Sequence, residues 1–126
     1  MELDHIGIIN KSEEDAMHFY AGLLALEKKR ESILPPELSQ QLFSLAMEIK
    51  MLAFGNGTLR IEVFLIPGFV SPFPRIPHFC IQVHDFPGFL ASVREAGAKV
   101  IIGKRPDKAV YFVEDFSGNR IELKSF

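Results

Sequence analysis

The chain has 126 residues, of which 48% are hydrophobic and 24% charged, with a net charge of −2 and a pI near 6.1. This length suits a single domain with one core, and the charge argues against a nucleic-acid-binding surface. No stretch reaches the ~20 consecutive apolar residues of a membrane helix, and no signal peptide is evident. The single cysteine, Cys80, fits a reducing compartment, so we expect a cytoplasmic protein without membrane or nucleic-acid partners.

The first half of the chain alternates strand-like and helix-like patterns. Ser12 is a good helix cap because acidic residues follow it in the first turn. Gly55-Asn56-Gly57 is typical of a hairpin, since these residues tolerate positive φ. The predicted elements are a strand at 3–9, a helix at 16–26, a strand at 26–31, a short helix at 37–46 after Pro35-Pro36, and strands at 47–54 and 58–66.

The second half repeats this order after a proline-rich connector. Asp85 is the predicted cap of its helix, and Gly97 is the predicted end. The predicted elements are a strand at 78–83, a helix at 86–96, and strands at 99–102, 109–113 and 120–124. The sequence therefore predicts one domain over 1–126, made of module 1 (1–66), a linker (67–76) and module 2 (77–126).

An internal repeat relates the two halves. Residues 3–8 (LDHIGI) match 76–81 (IPHFCI), and residues 59–64 (LRIEVF) match 119–124 (NRIELK). Each half thus has a histidine in its first strand and a glutamate in its last. These residues are His5, Glu62, His78 and Glu122. An inserted segment at 35–46 accounts for the longer spacing in the first half.

The repeated histidine and glutamate predict a metal site. Side chains alternate across a strand, so both glutamates lie on the face opposite the apolar residues that cover the helices. One such residue alone usually belongs to a solvated surface, but two converging pairs need compensation, and a divalent cation provides it. Two imidazoles and two carboxylates suit Zn, Ni, Co, Mn or Fe(II). The predicted ligands are His5, Glu62, His78 and Glu122.

Other reactive side chains have simpler interpretations. His18 and His84 are expected on the surface, and Cys80 is expected to be a buried, inert cysteine even though it shares a face with His78. Arg60 and Arg120 flank the two glutamates. Either they meet an anionic substrate or they form ordinary solvated ion pairs.

The sequence resembles the vicinal oxygen chelate superfamily, which includes glyoxalase I, methylmalonyl-CoA epimerase, extradiol dioxygenases and bleomycin-type resistance proteins. The resemblance covers nearly the whole chain and rests on segments 3–8, 16–26, 77–83 and 112–123. It implies an α+β fold in which two βαβββ modules form a curved mixed sheet around a metal site, with helices on the outside. It also implies that His5, Glu62, His78 and Glu122 are the ligands.

The same resemblance implies a metal-dependent lyase or isomerase that acts on a small carbonyl or thioester substrate through a metal-chelated enolate. Glu62 or Glu122 would be the base. The alternatives are a non-catalytic, resistance-type module that binds a metal or small molecule, and a small dioxygenase. Members with one module pair often form homodimers, so the ligands could come from one chain or two. We also expect the segment 35–46 to lie over or beside the cavity and to contribute to substrate selection.

Overall fold

The computed structural model describes all 126 residues, which divide into two compact units, Met1–Phe69 and Val70–Phe126. None of its helices is both long and apolar enough to cross a membrane. The elements are β1 (Ile6–Asn10), α1 (Glu13–Ala16) continuing as a π-helix (Met17–Leu23), β2 (Glu27–Leu34), α2 (Pro36–Phe43), β3 (Ile49–Gly55), β4 (Arg60–Leu65), β5 (His78–Val83), α3 (Phe86–Glu95), β6 (Lys99–Lys104), β7 (Ala109–Glu114) and β8 (Arg120–Ser125).

Each unit contains a four-stranded mixed sheet with the same topology. The strand orders are β1-β4-β3-β2 and β5-β8-β7-β6. In both sheets the first and last strands pair in parallel, whereas the other pairs are antiparallel. The predicted α+β class and the two βαβββ modules are therefore confirmed, and α2 is an addition to the first module.

The helix of the first unit departs from the predicted 16–26 span. It begins as expected, because the Ser12 side chain accepts a hydrogen bond from the Asp15 backbone N–H at 3.1 Å. It then widens into a π-helix, in which the Leu24 N–H bonds to the Phe19 carbonyl five residues back at 2.9 Å. Ala25 ends it with a left-handed φ of 54°. Apolar periodicity does not distinguish α from π winding, so the sequence pattern missed this feature.

The cores follow the alternation of the strands. In β4, Ile61 and Val63 are fully buried while Glu62 between them is partly exposed. In β8, Ile121 and Leu123 are buried in the same manner around Glu122. Large apolar side chains from the helices and neighbouring strands complete the two cores, among them Phe19, Tyr20, Leu52, Phe54, Leu90, Val93 and Val113. In the first unit the opposite face of the sheet has a second buried apolar cluster, with Phe64 packed against it, and Glu62 lies beside this cluster.

A buried ion cluster ties the connector to the second sheet. Arg75 donates to the Glu114 carboxylate at 3.0 Å, and Arg120 donates to the same oxygen at 2.6 Å. Arg75 also donates to the Ser71 carbonyl at 2.9 Å and lies over the Phe73 ring at 4.1 Å. Arg120 is therefore in an ion pair, but its partner is a buried carboxylate and the pair is not the solvated one considered for it. Burial pushes the pKa of Glu114 up, but the hydrogen bonds from Arg120 and Arg75 outweigh it and hold the pKa below its ordinary range.

Replacing Glu114 should destabilise the protein at neutral pH. Glu114→Gln leaves Arg75 and Arg120 without their shared carboxylate, at a cost of about 3 kcal/mol in the free energy of unfolding. Because the folded-state pKa of Glu114 is lowered, its contribution is fully present above the ordinary glutamate pKa of about 4.3 and is lost as pH falls through the folded-state pKa. Denaturant unfolding at several pH values should show the two proteins converging in acid.

The exposed Glu95→Gln variant is the control and should stay within about 0.5 kcal/mol of the wild type. Equal losses in the two variants, or a difference that does not change with pH, would contradict this role for Glu114.

Candidate functional site

The first histidine and glutamate meet at the parallel pair β1–β4. The register places Gly7 opposite Glu62, so His5, two residues before Gly7, lies on the same face as the carboxylate. The His5 Nε2 is 3.2 Å from Glu62 Oε2. The Glu62 side chain is only 16% exposed, so its charge is largely shielded from water. We call His5 and Glu62 the first half-site.

The second unit reproduces this relation at β5–β8. Cys80 is opposite Glu122, and His78 lies two residues before Cys80. The His78 Nε2 is 3.5 Å from Glu122 Oε2, and the Glu122 side chain is 21% exposed. The Phe112 ring packs edge-on against the His78 ring at 5.0 Å. We call His78 and Glu122 the second half-site.

In both histidines the other ring nitrogen, Nδ1, lies beside a hydrogen-bond acceptor. The Nδ1 of His5 lies 2.8 Å from Asp4 Oδ2, and the Nδ1 of His78 lies 2.7 Å from the Ile76 carbonyl oxygen. When Nδ1 donates its proton to such an acceptor, the neutral ring keeps a free lone pair on Nε2, beside the glutamate. Protein histidines that bind metals are usually held by an acceptor in this manner.

Each half-site offers one imidazole and one carboxylate, which are donor types that suit a divalent ion. The structure brings the predicted ligands together as two His–Glu pairs, and no group of three or more His, Cys, Asp or Glu side chains in the chain could hold a metal ion. Each unit alone thus supplies two candidate ligands.

Cations surround the first half-site. The Arg30 guanidinium donates to Glu62 Oε1 at 2.9 Å, and Arg60 donates to Asp4 Oδ1 at 2.6 Å. Arg60 is therefore in an ion pair, one of the two roles considered for it. The hydrogen bond with His5 and the charge of Arg60 lower the pKa of Asp4. A hollow of about 100 Å³ is lined by both members of the half-site and by the cations Lys29, Arg30 and Arg60.

Sequence reasoning missed Arg30 and Asp4. Arg30 lies on β2, which is separated from β4 by β3, so only the folded sheet shows its contact with Glu62. The signal for Asp4 was its position directly before His5.

An apolar cleft of about 310 Å³ adjoins the first half-site. Phe64 lies two residues after Glu62 on the same face of β4, and Gly7 is opposite Glu62. The Phe43 ring, at the end of α2, packs edge-on against Phe64 at 5.4 Å. The helix predicted within 35–46 is therefore present, and its end borders this cleft. The lining residues are Gly7, Ile8, Ile9, Phe43, Leu45, Ile49, Phe64 and Ile66.

The remaining histidines lie outside the half-sites, whereas Cys80 borders the second half-site. His18 and His84 are exposed, as expected, and the His84 ring stacks on Phe126 at 4.0 Å. The expectation of a buried Cys80 is wrong, because this side chain is on the exposed face of β5 opposite Glu122. Partial desolvation there, with the Glu122 charge, raises the pKa of the Cys80 thiol.

Residues 2–123 match the family model of the Glyoxalase/Bleomycin resistance protein/Dioxygenase superfamily. The chain belongs to this superfamily, which confirms the resemblance to the vicinal oxygen chelate proteins. A search of curated proteins gave no match.

Solved structures share the fold. A glyoxalase family protein from Enterococcus faecalis is 22% identical with a TM-score of 0.72, over 97% of this chain and 95% of that one. The trypanothione-dependent glyoxalase I of Leishmania major is 20% identical with a TM-score of 0.73, over 96% and 84%. The fosfomycin resistance protein FosX from Listeria monocytogenes, complexed with Mn(II) and a sulfate ion, is 19% identical with a TM-score of 0.71, over 99% and 92%.

Proposed function

We propose that the two half-sites supply four ligands to one divalent ion, and that the protein is a metal-dependent lyase or isomerase acting on a small carbonyl or thioester compound. The observation that carries this proposal is the repeated geometry: in each unit a histidine Nε2 lies within 3.5 Å of a glutamate oxygen while its Nδ1 is held by an acceptor. Membership of the superfamily supports it, as does a similar fold that binds Mn(II).

The two histidines and the two glutamates would have different roles at the metal ion. His5 and His78 would hold the ion through neutral nitrogens, and Glu62 and Glu122 would balance its charge. A bound divalent ion acts as a Lewis acid for negative charge that develops on a substrate oxygen. The protein then needs a base that breaks a C–H bond next to the substrate carbonyl, holds the proton and returns it to another atom.

Glu122 is the better candidate for this base. Both oxygens of Glu62 are engaged, one beside His5 and the other with Arg30 at 2.9 Å. Glu122 Oε1 lies 3.9 Å from the Lys124 ammonium, and the Glu122 carboxylate also has a hydrogen bond with the Cys80 thiol. Because no guanidinium holds Glu122 and a thiol makes only a weak hydrogen bond, Glu122 can move toward a substrate more easily. We therefore assign proton transfer to Glu122 and a fixed ligand role to Glu62.

The apolar cleft supports a substrate with an apolar group. Its volume of about 310 Å³ falls at the lower end of the range for small-molecule sites, and its lining is apolar throughout. The same cleft favours the second candidate function, a non-catalytic module that binds a small apolar ligand. Catalytic turnover distinguishes the two functions.

Metal binding should depend on both half-sites. We expect about one divalent ion per chain, measured by elemental analysis and by calorimetric titration with Mn(II) or Zn(II). His5→Ala and His78→Ala each remove a ligand nitrogen and should weaken binding severely. His18→Ala and His84→Ala are matched controls and should bind as the wild type does. Equal behaviour of all four variants would exclude this site.

Proton exchange should depend on Glu122. A screen of 2-oxoaldehyde–thiol adducts, acyl thioesters and catechols identifies a substrate. Glu122→Gln keeps the size of the side chain but removes the base, so exchange of the α-proton with deuterated solvent should fall by about 10²- to 10⁴-fold. Calorimetry should show that the variant still binds metal.

Other outcomes of the screen point elsewhere. Catechol turnover with oxygen uptake would favour the dioxygenase. Tight binding of a compound without turnover would favour the binding module. Unchanged exchange in Glu122→Gln would exclude Glu122 as the base.

Filling the cleft should remove selectivity for apolar groups. Straight-chain alkyl hydroxamates chelate a metal through two neighbouring oxygens, and each CH₂ placed in the cleft should tighten binding about fourfold. A Cβ on Gly7 would lie 3.5 Å from the Phe64 ring, so Gly7→Val fits the strand but occupies the cleft. Its dissociation constants should no longer depend on chain length. Gly103→Val, at another strand glycine, should keep the dependence, and loss of it in both variants would contradict this assignment.

A further inference from the structure

The two histidines are held by different means. His78 is the first residue of β5, and the strand register pairs it with Arg120. His5 precedes β1, whose pairing with β4 begins at Ile6. Strand pairing therefore fixes the backbone of His78 but does not include His5. The His5 side chain needs another restraint if its Nε2 is to stay beside Glu62.

Asp4 provides such a restraint through both of its carboxylate oxygens. Oδ2 accepts from His5 Nδ1 at 2.8 Å, and Oδ1 accepts from Arg60 Nη1 at 2.6 Å. Arg60 belongs to β4, two residues before Glu62. A chain of contacts thus runs from the strand that carries Glu62, through Arg60 and Asp4, to the ring of His5.

We propose that Asp4 is a positioning residue that orients His5 for metal binding, an inference that rests on the proposed metal site. Asp4 contacts the nitrogen of His5 that faces away from Glu62, so it acts through His5 and not as a ligand. A carboxylate at Nδ1 fixes the ring and makes Nε2 a stronger donor. In the second half-site the Ile76 carbonyl accepts from His78 Nδ1, so a backbone group is in the place that Asp4 has in the first.

The test compares Zn(II) affinity among variants by calorimetric titration. Asp4→Ala should lower the affinity about 10- to 100-fold. Asp4→Asn keeps an acceptor oxygen and should recover part of the loss, which a merely structural role would not predict. The matched control is Glu27→Ala, which removes an exposed carboxylate that is ion-paired with Lys29 at 2.8 Å in the same unit. Its affinity should match that of the wild type.

Two further measurements separate positioning from other effects. The Asp4 side chain is 65% exposed, so Asp4→Ala should melt at the wild-type temperature. In a His5→Ala background, Asp4→Ala should cause no additional loss, because the ring on which it acts is gone.

Four results would overturn the inference in distinguishable ways. An equal loss in Glu27→Ala would show a general effect of charge. A full additional loss in the His5→Ala background would show that Asp4 acts independently of His5. A wild-type protein that takes up no ion would refute the proposed metal site, and the role of Asp4 with it, whereas normal binding by Asp4→Ala would refute this role alone.

Discussion

The parallel pairing of the first and last strand in each unit is the constraint on which the candidate site depends. It sets Gly7 opposite Glu62 and Cys80 opposite Glu122, and so brings to each carboxylate the histidine two residues earlier. A shift of one residue in either register would turn the glutamate into the apolar core. The buried residues on both sides of each glutamate prevent that shift. The strand register thus determines both the packing of each core and the geometry of each half-site.

Much of this arrangement could be predicted from the sequence, because it depends on local patterns and on a repeat. Alternation in 58–66 and 120–124 assigned the faces, and Ser12 and Asp85 were correctly identified as caps. Contacts between distant elements could not be predicted. Arg30 reaches Glu62 across an intervening strand, and the connector residue Arg75 reaches a buried carboxylate. Such pairs have no characteristic spacing in the chain.

The two units share one topology but have diverged around their half-sites. The first has the additional helix α2, an apolar cleft and a half-site surrounded by cations. In the second, the histidine belongs to a paired strand and the glutamate has no guanidinium partner. We propose that the two units have different roles. The first unit would provide substrate selectivity and a fixed carboxylate, and the second would provide the carboxylate that transfers the proton. Each unit can differ in this way because the strand register alone preserves the pairing of each histidine with its glutamate.

We propose that one divalent ion takes ligands from both half-sites. X-ray absorption spectroscopy of the Zn(II)-loaded protein tests it most directly, because the multiple scattering from imidazole rings counts the histidine ligands. The account predicts two imidazoles, with nitrogen and oxygen ligands at about 2.0–2.2 Å. The count should fall to one in His5→Ala and in His78→Ala. A spectrum without imidazole scattering, or an unchanged count in either variant, would contradict the account.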